Sequence, residues 1–364
     1  MQKKVYVVSA VVITISIGIF IFVLSRLYMQ PVFIPKSPIH ANPTHTPEIQ
    51  IPVLSLENFY DDIHVTQYPR DEIRTIIVTG DIIPGRSVNS RTLGYNNFHW
   101  AFEPTASFLK NADLTYINLE SPLIAKCPVT NDGMIFCGDR RHVEGFVYAG
   151  VDVANLANNH LGNHGAEGIK QTAQYLQERG IVGVGIENNP QYVDVRGLTI
   201  AFLGYDDIEV QTGVSRADMQ TIQREIQEAR SQADIVIVQF HWGVEYVAQP
   251  TDRQRELGKL AIDSGADLVI GNHPHWIQPV ELYNGKLITY AHGNFIFDQM
   301  WSEKTREGIV GKYYFYKNHL VDVEYVPIKI EDYGQAHIIQ DEIYKKRILN
   351  DMYQESVFLR DKTN

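Results

Sequence analysis

Cysteine is nearly absent from this chain, with two among 364 residues. Two thiols alone leave a structural zinc site short of ligands. Positive charge is scarce as well: 32 Lys and Arg stand against 43 Asp and Glu, a net charge of −11. Polyanion binding rests on basic patches, so this balance speaks against nucleic acid as a partner. It leaves room for an anionic substrate at one site, because a bound cation supplies local positive charge. The chain has no internal repeat and no long low-complexity tract.

What is present points to an anchored globular body. Residues 5–24, "VYVVSAVVITISIGIFIFVL", are uncharged and long enough to span a bilayer as a helix. Lys3 and Lys4 precede the run, so the positive-inside rule puts the N-terminus in the cytoplasm and the rest outside. A cleaved signal peptide is the alternative. The run is longer than a signal core, and no small-residue cleavage pattern follows it. Residues 1–27 are therefore read as cytoplasmic tip and anchor, and the Pro-rich 28–72 as an extended external linker. Residues 73–345 form the body and 346–364 a C-terminal tail. On this topology Cys127 and Cys137, in "CPVTNDGMIFC", form a disulfide; with the opposite topology they stay free thiols.

The body alternates strand and helix patterns. "RTIIVTGD", "DLTYINLE", "VDVANLANNH", "LTIAFLGY", "DIVIVQFHWG" and "ADLVIGNH" read as strands, with amphipathic helices between several of them. Asn284-Gly285 between two apolar runs is a hairpin signal. The fold class is α/β.

Polar groups gather where these strands end. Asp81 follows "IIVTG", Asn118 and Glu120 follow "LTY", and Asn158, Asn159 and His160 follow "VANLA". His241 ends "IVIVQF", and His273 and His275 follow "LVIG". One imidazole there has an ordinary structural explanation; five strand ends bearing carboxylates, amides and imidazoles are hard to explain as packing. Oxygen and imidazole donors without thiolate suit Mn²⁺, Zn²⁺ or Fe.

The stretches "TGDIIPGRSVN", "INLESPL", "LANNHLGNHG", "VQFHWGVEY" and "GADLVIGNHPHWIQPVELYNGKLITYAHGNFIFDQ" occur in that order. Together they resemble the calcineurin-like metallophosphatases, and more closely their CapA branch, bacterial capsule-biosynthesis proteins associated with poly-gamma-glutamate. The resemblance implies a four-layer α/β/β/α sandwich behind an N-terminal transmembrane helix, at the cell membrane with the globular domain extracellular. It implies a metal-dependent hydrolase or transferase of capsule or envelope polymer, working beside other capsule-synthesis membrane subunits. The alternative is a non-catalytic scaffold with a degenerate metal site.

Position by position, the resemblance makes Asp81, Glu120, Asn159, His241, His273 and His275 metal ligands, with Glu120 bridging. It makes His160 the general acid or oxyanion partner. Ile83 stands where metallophosphatases carry a histidine, so one ion is expected to be tight and a second weaker. Asn163 stands where the CapA pattern usually has an aspartate. Arg86 is a catalytic candidate beside His160 that can clamp an anionic oxygen, or it pairs with a nearby acid. Asn118, Asn158, Glu245 and Asn294 are candidates for substrate contact or for supporting the ligands. His292 is either a replacement ligand or a plain hydrogen-bonded histidine. Asp298 is expected to hold the loop facing the site, and Asp206 and Asp207 a turn.

Overall fold

In a computed structural model, residues 54–57, 65–187 and 189–362 are described, all within a unit spanning residues 50–364. The expected anchor at 5–24 and most of the Pro-rich stretch lie outside the described residues. Among the described residues no helix is long and apolar enough to cross a membrane.

The first six strands are β1 (Ile73–Ile82), β2 (Leu114–Leu119), β3 (Leu123–Ile124), β4 (Gly138–Asp139), β5 (Val153–Asn155) and β6 (Val182–Val184). The next six are β7 (Gln191–Val195), β8 (Leu198–Asp206), β9 (Ile235–His241), β10 (Leu268–Asn272), β11 (Val280–Tyr283) and β12 (Lys286–Thr289). The last four are β13 (Asn294–Ile296), β14 (Glu307–Tyr316), β15 (His319–Glu331) and β16 (Gln335–Ile338). One sheet runs β16-β15-β14-β1-β2-β5-β6, with β13 also paired to β1. The other runs β11-β12-β10-β9-β8-β7, and β3 and β4 form a small pair.

Alternation along the strands sets the layers. Ile76 and Val78 of β1 and Ile235 and Ile237 of β9 share a core between the sheets. Ile77 faces the other way, onto α1 (Arg86–Tyr95), α2 (Ala106–Leu109), α3 (His142–Ala149) and α4 (Gly165–Gln177), through Val88, Leu109, Phe146 and Leu176. Val236, Val238 and Phe240 face α5 (Met219–Arg230) and α6 (Asp252–Ser264) through Ile222, Ile226, Leu257 and Ala261. Three cores between four layers make an α/β/β/α sandwich. β9 is buried along its whole length, as a strand covered on both faces must be. The Asn284-Gly285 hairpin joins β11 to β12 antiparallel, with φ of 49° and 71° at the two turn residues.

Two expected boundaries are corrected. Residues 346–364 are not a separate tail: α7 (Glu303–Arg306) is short, but α8 (Glu342–Asp361) runs through that boundary. α8 sends Ile348 and Met352 into the core between the sheets. The stretch before Ile73 is not all spacer either, since Leu56 is buried in that core and Tyr68 stacks on Tyr316 with centroids 4.6 Å apart. The apolar residues of both segments were outside any clear strand or helix period, so only their burial reveals the role.

Candidate metal centre

The parallel strands bring polar residues to one edge in register. In the first sheet Asn294, Asp81, Asn118 and Asn155 are successive neighbours across β13, β1, β2 and β5. In the second, Asp206, His241 and Asn272 are neighbours across β8, β9 and β10. Just beyond β10 the chain turns sharply: His273 and His275 take φ of 97° and 57° on either side of Pro274. Non-glycine residues rarely hold such conformations, and they persist where surrounding contacts over-determine them.

Two groups of buried donors converge here, one of Glu120, His241 and His273, the other of Asp81, Glu120 and His275. In the first, His241 Nε2 lies 3.3 Å from Glu120 Oε1, 3.2 Å from His273 Nδ1 and 2.9 Å from Asn159 Oδ1. In the second, His275 Nδ1 lies 3.1 Å from Asp81 Oδ2 and 2.9 Å from Asn294 Oδ1, while its Nε2 lies 4.0 Å from Glu120 Oε1. Glu120 belongs to both groups.

Electrostatics single out Glu120. Neither of its carboxylate oxygens, both buried, has a hydrogen-bond partner among the described residues. Burial pushes the carboxyl well above the usual range, and the Asp81 charge adds to the effect. A buried carboxylate without hydrogen bonds is costly unless a positive charge compensates it. Burial also holds His241 down at about 4 and His273 well below the ordinary value, so both imidazoles are neutral and free to ligate. Burial opposes the proton on His275 too, but Glu120 and Asp81 outweigh it and hold this ring at about 9. For Asp81, burial is outweighed by the hydrogen bond and charge of His275, which lower its carboxyl. Two neutral imidazoles and an amide oxygen beside an unpartnered carboxylate, with Asp81 and His275 on its other side, fit one or two divalent ions, the ion taking the place of the proton on His275.

The profile of the family described as "Bacterial capsule synthesis protein PGA_cap" matches residues 75–299. The "PGA biosynthesis protein CapA" of Bacillus subtilis (strain 168) is 33% identical over 307 residues, covering 79% of this chain and 80% of that protein. The chain belongs to the bacterial capsule synthesis protein family. The "Capsule biosynthesis protein CapA" of Bacillus anthracis is similar at 29% identity over 312 residues, covering 80% of this chain and 75% of that protein. A hypothetical protein of known structure from Thermus thermophilus overlaps 71% of this chain and all (100%) of its own at a TM-score of 0.48 and 15% identity, too slight a likeness to carry an argument.

Within this capsule synthesis protein the remaining expected residues fall into distinct roles. Asn118 donates to Asp81 Oδ1 at 2.9 Å and so supports a donor group from behind. Asn294 supports His275 as an acceptor, with its Oδ1 2.9 Å from the ring Nδ1. Asn158 turns inward: its Nδ2 donates to the Leu119 carbonyl, and its Oδ1 accepts from the His160 and Leu161 amides. Glu245 is half-buried and acts on Glu120 and His275 as a nearby charge. Arg86 is an ion-pair partner of Asp298, the acid-pairing alternative, and also donates to the Gly133 carbonyl at 3.2 Å. His292 belongs to neither donor group. Its Nε2 contacts the Tyr313 hydroxyl at 3.0 Å, which is the hydrogen-bonded alternative. Asp206 is the buried last residue of β8 and accepts from the Ile208 amide at 3.0 Å, turning the chain as expected.

Cys127 and Cys137 are disulfide-bonded. Their loop reaches the site through Phe136, whose ring centroid lies 4.2 Å from that of His160. Burial holds His160 down at about 4, against its hydrogen bond to the Asn163 side-chain oxygen, which raises it.

Three contributors escaped the sequence reading. Asn272 donates to Asp81 Oδ1 at 2.8 Å, Asn155 donates to Asn118 Oδ1 at 2.9 Å, and Gln239 is bonded to Asn272. The available signal was an amide side chain inside an apolar strand, which is costly to bury without partners.

Proposed function

We propose that this protein is a divalent-metal-dependent hydrolase or transferase that acts on capsule or envelope polymer, or on its precursor, at the outer face of the cell membrane. The observation that carries the reading is Glu120, a buried carboxylate shared by two donor groups and left without hydrogen bonds. The tighter ion belongs with Glu120, Asn159, His241 and His273, and the weaker one with Asp81, Glu120 and His275. Divalent ions held there would supply Lewis-acid stabilisation of negative charge developing on a phosphoryl or acyl oxygen.

The chain's own residues supply the rest. Asn118 and Asn272 fix the Asp81 carboxylate by hydrogen bonds to the same oxygen. Ile83, Phe136 and Phe297 form an apolar cluster that excludes water beside the site. His160 carries the proton exchanged with substrate, and Phe136 packs on its ring.

The location draws support from three features: the apolar run at 5–24, the Lys3/Lys4 bias, and a disulfide, which belongs to oxidising compartments. The names of the Bacillus relatives, a PGA biosynthesis and a capsule biosynthesis protein, support capsule polymer as the substrate, and other capsule-synthesis membrane subunits as partners are part of the same proposal.

A scaffold role with a reduced metal site is favoured by one observation. Ile83, where the metallophosphatase pattern has a histidine, is packed against Phe136 and Phe297 and offers no donor. The test is turnover of phosphoester and gamma-glutamyl substrates by the full chain in detergent micelles, refilled with Mn²⁺ or Zn²⁺. Metal-dependent turnover that disappears in Asp81→Ala and His273→Ala supports the enzyme. Metal binding without turnover of either substrate class supports the scaffold.

A further inference from the structure

His160 and Asn163 sit three residues apart around a 3-10 turn (Leu161–His164), a spacing that stacks their side chains. His160 Nδ1 lies 3.0 Å from Asn163 Oδ1. By itself that contact leaves open which partner donates. A second contact decides it. The Phe136 backbone amide lies 2.7 Å from the same Asn163 atom. A backbone N–H can only donate, so the Asn163 atom facing both groups is the carbonyl oxygen. An amide oxygen cannot donate, so the hydrogen between Asn163 and His160 has to sit on Nδ1 of the ring.

We infer that Asn163 is a positioning residue that holds His160 in the Nδ1–H tautomer, with the disulfide-closed loop acting through the Phe136 amide to hold Asn163. The neutral ring then keeps its lone pair on Nε2. His160 takes up a proton at Nε2 before it can give one there, which makes it an acceptor at the start of the reaction. This assignment rests on the reading of His160 as the proton-carrying residue, but the tautomer itself is independent of any activity.

The surroundings make the arrangement rigid. Asn158 Oδ1 accepts from the His160 and Leu161 amides at 3.2 and 2.9 Å. Gln211 ties the same turn down, accepting from the Gly162 amide at 2.6 Å and donating to the Asn158 carbonyl at 3.1 Å. On the other side the Arg86 guanidinium lies over the Phe136 and Phe297 rings at 5.0 and 4.9 Å, and it donates to the Gly133 carbonyl of the disulfide loop. A chain of contacts therefore runs from Asp298 through Arg86 and the loop to Phe136, Asn163 and His160. Asparagine serves here because the acceptor is needed while a negative charge is not: the Phe136 amide and the ring N–H are both satisfied by one neutral oxygen.

The experiment is nitrogen NMR of the imidazole rings in the full chain, metal-free in detergent micelles, with ¹⁵N-labelled histidine and the His160 signals assigned by their loss in His160→Gln. The inference predicts Nδ1 at the protonated, pyrrole-type position and Nε2 at the pyridine-type position, the reverse of the form that free imidazole side chains favour. Asn163→Asp, which keeps an acceptor oxygen, should preserve this pattern. Asn163→Leu, or Asn163→Ser if the leucine variant does not fold, should move the proton to Nε2. A wild-type ring protonated on Nε2 overturns the assignment. So does a folded Asn163→Leu or Asn163→Ser variant that keeps the Nδ1–H pattern. Absence of turnover with the predicted pattern intact would count against the enzyme reading alone.

Discussion

Glu120 and His241 lie with Oε1 and Nε2 3.3 Å apart, and both side chains are fully buried. Among the described residues nothing donates a hydrogen bond to that carboxylate. The contact is thus an electrostatic debt left for a cation, and it explains why a carboxyl is found at the centre of the body.

The first prediction follows from that imbalance. Glu120→Gln removes a carboxyl that is costly to ionise at this depth, so the metal-free variant should unfold at least as late as metal-free wild type, with a gain of about 1 kcal/mol if the new amide finds an acceptor. Added Zn²⁺ or Mn²⁺ should raise the melting temperature of wild type and leave the variant unmoved, because only a ligand that binds the native state stabilises it. A variant that still gains stability with metal would place the ions elsewhere.

Arg86 separates a structural from a ligand-binding role. Its partner Asp298 is 8% exposed and also accepts from the Ser87 amide at 3.0 Å. Arg86→Ala leaves that carboxylate unpaired and should cost about 3 kcal/mol in urea unfolding. Adding Asp298→Asn should recover part of the loss. Full stability of the single variant would return Arg86 to the role of anion clamp.

The disulfide closes a loop with a sequence separation of 10. Replacing Cys127 and Cys137 with Ser should lower stability by about 2–3 kcal/mol, the chain-entropy value for a loop of this size. Unchanged unfolding of the double variant would contradict the prediction.

A pH effect is expected away from the metal centre. Asn89 Oδ1 accepts from the Asp139 amide and from His142 Nε2, each at 3.0 Å. Burial pulls His142 from 6.5 down to about 4. The folded value lies below the unfolded one, so the stability contributed by the neutral ring is fully present above pH 6.5 and is lost as pH falls towards 4. The total is about 3 kcal/mol. His142→Gln keeps a donor but does not titrate, so its urea midpoint should fall less than that of wild type between pH 7 and pH 4.5, which is about the window named. Parallel curves would rule this out.

Strand ends were the legible part of the sequence. The runs before Asp81, Glu120, His241 and His273 are short, apolar and followed by polar groups, and parallel strands bring such ends to one edge. That both imidazoles of "HPH" would sit near one carboxylate could be read as a pattern; that Glu120 would lack hydrogen bonds could not, since it depends on what every neighbour does. Asn155 and Asn272 were hidden inside apolar strands, where an amide is informative only once its partner is known. Phe136 was hidden for a different reason: its packing on His160 is set by the disulfide loop, whose path no local period encodes. β14 to β16 and α8 were missed because their apolar residues bind them to partners distant in sequence.

Metal content is the most direct test of the central claim, that Glu120 joins two donor groups into one metal centre. The full chain in detergent micelles would be stripped with a chelator, refilled with Zn²⁺ or Mn²⁺, freed of excess metal and measured by elemental analysis. Wild type should retain divalent metal, and His241→Ala or His273→Ala should lose the tighter ion. Asp81→Ala should lose only the weaker one, and Glu120→Gln should lose both. A refilled wild type without metal, or a Glu120→Gln variant that holds as much metal as wild type, would contradict the account.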